Sequence, residues 1–236
     1  MSRAQHFLRL QALALALAFV LPAASAATAA APANAAPASY PEGQYYETIA
    51  NPIRPAEPGK IVVQEFFWFG CPHCFVLEPL LEQWTPKLPA GVVFEHVPDS
   101  LGHPIGVAHQ KAYYTAVALG VKDRIMMPLF NALQLQHARI DDQKALRKFF
   151  VANAGVTAEQ FDSAWNGFSV DTSVRKADQL AMHDGILSVP TLVINGQYKL
   201  NAGMPGYRNV QGGEADHFRL MLKVADALIA RIQAGH

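Results

Sequence analysis

Glu65-Phe66-Phe67-Trp68-Phe69-Gly70-Cys71-Pro72-His73-Cys74 decides how the rest of this chain is read. The apolar run Ile61 to Phe69 predicts a buried strand. Pro72 suits the first position of a helix, since it has no N–H to leave unpaired, and the chain's only 2 cysteines sit at that junction. Cysteines at i and i+3 on the first turn of a helix face the same side, so their sulfurs can close a short disulfide. Cys71 falls at or near the N-cap, where free backbone N–H groups and the positive end of the helix dipole favour a thiolate exposed to attack. His73 adds an imidazole that further stabilises the anion when protonated or donating its N–H. Cys74, a turn deeper, is expected to be less accessible and less acidic, and to act as the resolving thiol. These residues together spell thiol–disulfide exchange by a pair that favours its reduced form and so oxidises others. A Cys-x-x-Cys also serves as half of a zinc site, but structural zinc needs four ligands, and there is no second cysteine pair and the other histidines are scattered. No metal and no cofactor is expected, because the electrons leave through the cysteines.

The N-terminal residues say where such chemistry takes place. Arg3 and Arg9 form a basic start, Leu10 to Leu21 is an apolar stretch too short to span a bilayer comfortably, and Ala24-Ser25-Ala26 has the small-x-small pattern of a secretory cleavage site. Residues 1–26 therefore read as a signal peptide and 27–39, mostly Ala and Pro, as a disordered lead-in. An exported, soluble protein with a lone Cys-x-x-Cys works where disulfides persist, which places it in the periplasm. Losing two of the 19 Lys+Arg and none of the 19 Asp+Glu leaves a net charge of about −2, which argues against nucleic acid as a partner.

Hydrophobic periodicity supplies the frame around the cysteines. Gln44 to Ile49 reads as an edge strand, Pro72 to about Lys87 as a helix holding Pro79, and Val92 to Val97 as a second buried strand, giving a β-α-β start. From Pro104 to about His183 the pattern is helical. Asp141 marks one helix start, Thr157 with Gln160 forms a capping box, and Phe161, Trp165 and Phe168 are expected on one core-facing stripe, as are Ala116 and Val117. Thr191 to Ile194, an Asn195-Gly196 turn and Gln197 to Leu200 predict a hairpin, and Glu214 to Ile232 a closing amphipathic helix. Strand-bearing pieces on either side of a helical block at about 98–183 are the layout of an α/β, thioredoxin-like fold with an inserted all-helical subdomain, occupying 40–236.

With these elements placed, the run from Glu65 to Cys74, the segments Ala118-Leu119-Gly120-Val121 and Pro128-Leu129-Phe130, and Val189-Pro190-Thr191 ahead of Val193 to Tyr198 closely resemble the DsbA family of periplasmic disulfide oxidases. The resemblance spans essentially the whole chain after Tyr40, and the Pro-His pair between the cysteines is specific to that family. It implies a strongly oxidising site. It implies that Pro190 is cis and lies against the cysteines, with the Val189 backbone free to pair with an extended substrate, and that Met204 lies in the adjoining groove. It implies that Glu65 is a buried acid beneath the disulfide and that Glu78 is an acidic position on the following helix. Family members often carry a lysine near the buried acid on the second core strand, where this chain offers only Glu95 and His96. What balances Glu65 is left open. Taken without the resemblance, Glu65 reads equally as a strand-end acid facing water, and Pro190 as a turn proline.

The function implied is a dithiol oxidase that donates its Cys71–Cys74 disulfide to reduced, newly exported proteins through a mixed disulfide at Cys71 and is reoxidised by a membrane quinone reductase of the DsbB kind. A disulfide isomerase or reductase is the neighbouring reading, disfavoured because no dimerisation domain precedes the catalytic fold, so a monomer is expected. A non-catalytic chaperone is the third. Export is expected to remove residues 1–26, so intact-mass measurement of the periplasmic protein should give a chain beginning near Ala27; an uncleaved N-terminus overturns this.

Overall fold

The structure, a computed structural model, describes residues 40–53, 59–208 and 210–235. The expected presequence and Ala/Pro-rich lead-in lie outside the described residues. Strand β1 (Glu47–Thr48) is followed by β2 (Ile61–Phe67), α1 (Pro72–Trp84), a short 3-10 turn and β3 (Val92–Pro98). Five helices come next: α2 (Pro104–Ala118), α3 (Lys122–Gln134), α4 (Gln143–Ala154), α5 (Ala158–Trp165) and α6 (Phe168–Asp184). The chain then returns to the sheet as β4 (Thr191–Ile194) and β5 (Tyr198–Asn201) and closes with α7 (Glu214–Gln233).

The sheet runs β1-β5-β4-β2-β3, so β2, which leads to the cysteines, is second from one edge. It pairs in parallel with β3 and antiparallel with β4. A parallel pair needs a crossover, and α1 supplies it. Register places Glu65 beside His96 on β3 and Leu192 on β4. Two hydrophobic clusters hold the layers together. One joins Val63, Leu77, Leu81, Leu192, Phe218 and Met221 between the sheet, α1 and α7. The other joins Phe66, Phe67 and Phe69 to Phe130, Phe150 and Phe161 in the helical block, and includes both cysteines. Each fully buried Phe or Leu in these clusters contributes about 1.5–3 kcal/mol relative to exposure. Gln134 Nε2 donates to the carbonyl of Phe69 at 2.8 Å, tying α3 to the loop that carries Cys71.

Several expectations shift in detail. The edge strand is two residues long, not six. The cap of α4 is Asp142 rather than Asp141: its side chain accepts from Ala145 N at 2.8 Å. The Thr157–Gln160 capping box is present as read. Phe161 and Trp165 are buried, but Phe168 is 81% exposed, because Asn166-Gly167 ends one helix and Phe168 opens the next, which resets the periodicity. Ala116 is buried and its neighbour Val117 is half-exposed, since consecutive helix positions point about 100° apart.

The hairpin that returns the chain to the sheet turns at Asn195 (φ 54°) and Gly196 (φ 63°), with Gln197 N donating to Ile194 O at 2.9 Å. Both central residues are left-handed, as a two-residue type I′ turn requires. A Cβ on Gly196 would also stand 2.1 Å from the carbonyl oxygen of Ile53. Gly196→Ala is therefore expected to destabilise the fold by about 1–3 kcal/mol in a urea melt; an unchanged midpoint overturns this.

Candidate active site

Cys71 is the N-cap of α1, with extended backbone (φ −89°, ψ 117°), and Pro72 takes the first helical position. The two cysteines are unbonded, so the structure shows the dithiol form. Cys71 is less open than the sequence suggested, 7% exposed, while Cys74 is fully enclosed. The sulfur of Cys71 is held from three directions. Its Sγ lies 3.4 Å from the carbonyl oxygen of Val189, across the cis Val189–Pro190 bond. The Cys74 thiol donates to it, and the backbone N–H groups of His73 and Cys74 point at it.

These donors make the two thiols unlike. Chiefly through the Cys74 hydrogen bond, then through the two backbone N–H groups and the His73 imidazole, and against a desolvation cost, the Cys71 thiol is lowered from 9.0 to about 6. Burial first, then the hydrogen bond it gives and the charge of Glu65, pushes Cys74 well above the usual thiol range. The sequence assigned the stabilisation of Cys71 to the helix N-terminus and His73; the neighbouring thiol outranks both. The imidazole of His73 is engaged elsewhere, its Nδ1 paired with the carboxylate of Glu214 at the start of α7. Glu214 lies 141 residues away in sequence and carries no signal there that links it to the motif.

Beneath the cysteines, Glu65 is fully buried and neither carboxylate oxygen has a hydrogen-bond partner. Burial, followed by repulsion from Glu78 and Cys71, raises its pKa well above the carboxylate range. His96 answers the question of its neighbour: Nε2 lies 3.4 Å from Glu65 Oε2 and 3.1 Å from Glu78 Oε2. The register of β3 against β2 brings this about, and strand alternation puts Phe94 and His96 on one side of β3. Among the described residues, Glu65, Glu78 and His96 form the one group whose His, Cys, Asp or Glu donor atoms converge, all within 4.8 Å. The imidazole nitrogen hydrogen-bonds the carboxylate of Glu78 at 3.1 Å. His96 is thus hydrogen-bonded to Glu78 and within ion-pair distance of Glu65.

Beside Cys71, a hollow of about 320 Å³ is lined by His73, Val189, Pro190, Glu214 and Phe218. A second, also about 320 Å³, is lined by Leu187, Thr191 and Met204, and the two share Ser188, Asn201 and Gly203. Leu187, on its rim, is 90% exposed. The structure thus brings Cys71, Cys74, Pro72, His73, Glu65, Val189 and Pro190 to one place, with Met204 in the adjoining hollow.

Comparison with known proteins gives the same reading. Residues 62–212 match the family described as the DSBA-like thioredoxin domain. The chain belongs to the DsbA family. It is 35% identical over 196 residues to the thiol:disulfide interchange protein DsbA of Pseudomonas aeruginosa, covering 83% of this chain and 87% of that protein. The Burkholderia cepacia DsbA is 34% identical over 202 residues, 85% and 90% of the two chains. The crystal structure of Pseudomonas aeruginosa DsbA superposes with a TM-score of 0.71 at 31% identity, covering 82% and 97%. A Proteus mirabilis DsbA with a non-covalently bound peptide, PWATCDS, superposes with a TM-score of 0.68 at 27% identity, covering 82% and 100%. This DsbA-family chain is a thiol:disulfide oxidoreductase with a thioredoxin-like fold, and among the described residues no helix is long and apolar enough to cross a membrane.

The lowered Cys71 pKa sets how stability follows pH. Only the dithiol form carries this group, and a thiol more acidic in the folded than in the unfolded state stabilises the folded state above the unfolded value. That contribution is full above 9.0, declines as pH falls, and is gone below the folded value of about 6. At pH 7 it amounts to at most about 1.4 kcal/mol, one pH unit above the folded pKa. The reduced protein is expected to melt above the oxidised one at pH 7–8, with the gap closing toward pH 5; an equal or lower Tm for the reduced form at pH 8 overturns this.

Proposed function

We propose that this protein is a periplasmic dithiol oxidase that passes its Cys71–Cys74 disulfide to newly exported proteins through a mixed disulfide at Cys71. The inequality of the two thiols carries the reading. Cys71, more acidic and next to the residues that line the groove, is the better leaving group and the sulfur a client meets; Cys74, enclosed and basic, is the thiol that closes the site again.

Each direction of exchange follows from this. A client thiolate attacks Cys71 Sγ, the Cys71–Cys74 bond breaks, and Cys74 takes the electron pair and a proton. A second client thiolate then attacks the client sulfur of the mixed disulfide, and Cys71 departs as a thiolate stabilised by Cys74 and the two backbone N–H groups. The client has been oxidised to a disulfide and the protein reduced to its dithiol. Return to the oxidised form is assigned to a membrane quinone reductase of the DsbB kind. The Val189 backbone, beside Cys71, offers an edge on which an extended client segment pairs as an added strand, with side chains settling toward Pro190 and Met204. Glu65 exchanges the proton that Cys74 gains or loses, having a raised pKa and lying close enough for its charge to act on that thiol. His73 is one of the donors that hold Cys71 anionic, and Pro72 fixes the helix start that aims the N–H groups at it.

In cells making the Cys74→Ser variant, mixed disulfides with exported proteins should accumulate through Cys71, whereas Cys71→Ser should trap none. Non-reducing electrophoresis with mass spectrometry of the adducts reads the outcome. Adducts on Cys74 in the Cys71→Ser variant would mean that the two roles are reversed.

A further inference from the structure

Three donors from three elements meet beneath the cysteines, beside a cavity that opens to water. Glu65 on β2 is 0% exposed, and neither of its carboxylate oxygens has a hydrogen-bond partner. Glu78 on α1 is 3% exposed. His96 on β3 turns its Nε2 toward both acids, 3.1 Å from Glu78 Oε2 and 3.4 Å from Glu65 Oε2. A hollow of about 550 Å³ between α1, β3 and α3 is lined by Glu78 and His96. We propose that Glu65, Glu78 and His96 form a binding site for one divalent transition-metal ion of the zinc class, reached through that hollow. The site is separate from the exchange reaction, since it needs neither cysteine as a ligand. No spacing in the sequence announces it, because β2, α1 and β3 contribute one donor each.

The spacing suits such an ion. A tetrahedral centre bound at about 2.0–2.1 Å sets its donors about 3.3 Å apart, and the two distances from Nε2 lie on either side of that value. The third pair, Glu65 and Glu78, lies within 4.8 Å, and a turn of one carboxylate about its terminal bond narrows it. An imidazole with two carboxylates is a donor set for zinc and its neighbours, whereas calcium and magnesium take oxygen ligands. Water from the hollow completes the fourth position, as at other zinc sites with three protein ligands.

Charge and second contacts agree with the geometry. Two buried carboxylates beside a single imidazole are costly to ionise. A dication makes the assembly neutral and displaces the protons that burial otherwise keeps there. The imidazole then carries its proton on Nδ1 and offers the Nε2 lone pair to the ion. The rings of Phe94 and Phe67 stand edge-on to the imidazole at 4.8 and 5.5 Å and fix its plane. Lys122, the cation on the wall of the hollow, is paired with Asp123 at 3.2 Å, so its charge is countered. Filled, the site ties β2, α1 and β3 together beneath Cys74.

The test uses the natural protein in its disulfide form, in which neither cysteine is a free thiol. Calorimetric titration with zinc should give one ion per chain. Cobalt should give the intense visible bands of a four- or five-coordinate site without thiolate bands, and zinc should raise the Tm, as a ligand of the folded state does. His96→Gln and Glu78→Gln should each weaken zinc binding by about tenfold or more and remove the rise in Tm. Absence of zinc binding to the natural protein overturns the proposal, as does binding that both variants leave unchanged. A zinc response that survives both and is lost in Glu214→Gln places the ion at the exposed His73–Glu214 pair and overturns it too. If neither site variant folds, anomalous scattering at the zinc edge from zinc-soaked crystals of the natural protein decides. A peak bounded by Glu65, Glu78 and His96 is required; a peak elsewhere, or none, overturns the site.

Discussion

The sulfur of Cys71 is held where three structural elements meet, and the rest of the molecule is arranged around that meeting. Helix α1 supplies two backbone N–H groups and the thiol of Cys74, while the loop before β4 supplies the carbonyl of Val189 and the cis proline beside it. Strand β2 ties these together, since it leads into α1 at one end and pairs with β4 along its length. Donors aimed at a developing anion act most strongly where water is scarce, and Cys71 is only 7% exposed. The helical block, through Phe130 and the hydrogen bond from Gln134, closes that environment from above.

Under the same sulfur the fold accepts an arrangement that stability alone would not choose. A carboxyl group with no hydrogen bond, buried in the sheet, is costly in any protonation state and costliest when charged. That burial raises the pKa of Glu65, and the imidazole of His96 stands between it and a second buried acid, Glu78. Replacing such a cluster by apolar side chains of equal volume is often neutral or stabilising in other proteins. Its place beneath Cys74 is what the proton exchange proposed for Glu65 would use.

The elements most legible in the sequence were those governed by local rules. Pro72 after an apolar run gave the start of α1, Thr157 with Gln160 gave a capping box, and Asn195-Gly196 gave the hairpin, each because the relevant backbone groups lie within a few residues of one another. The errors came where a rule had two adjacent candidates or where a helix broke. Asp142, not Asp141, caps α4, since only one of the two can reach Ala145 N. Phe168 was grouped with Phe161 and Trp165 by a periodicity that Asn166-Gly167 interrupts.

The sequence by itself determined the chemistry: two cysteines alone in the chain, one turn apart at a strand-to-helix junction, with a proline and a histidine between them. It also determined the thioredoxin-like order of elements, because periodicity and turn chemistry are short-range. What only the tertiary structure decided is how the charges are balanced. That Cys74 contributes more than the helix end or His73 to the acidity of Cys71, that Glu214 takes the His73 imidazole, and that His96 stands between Glu65 and Glu78 are contacts between residues on different elements. Electrostatic energies fall with distance and rise with burial, and neither quantity exists until strands are in register and helices are packed.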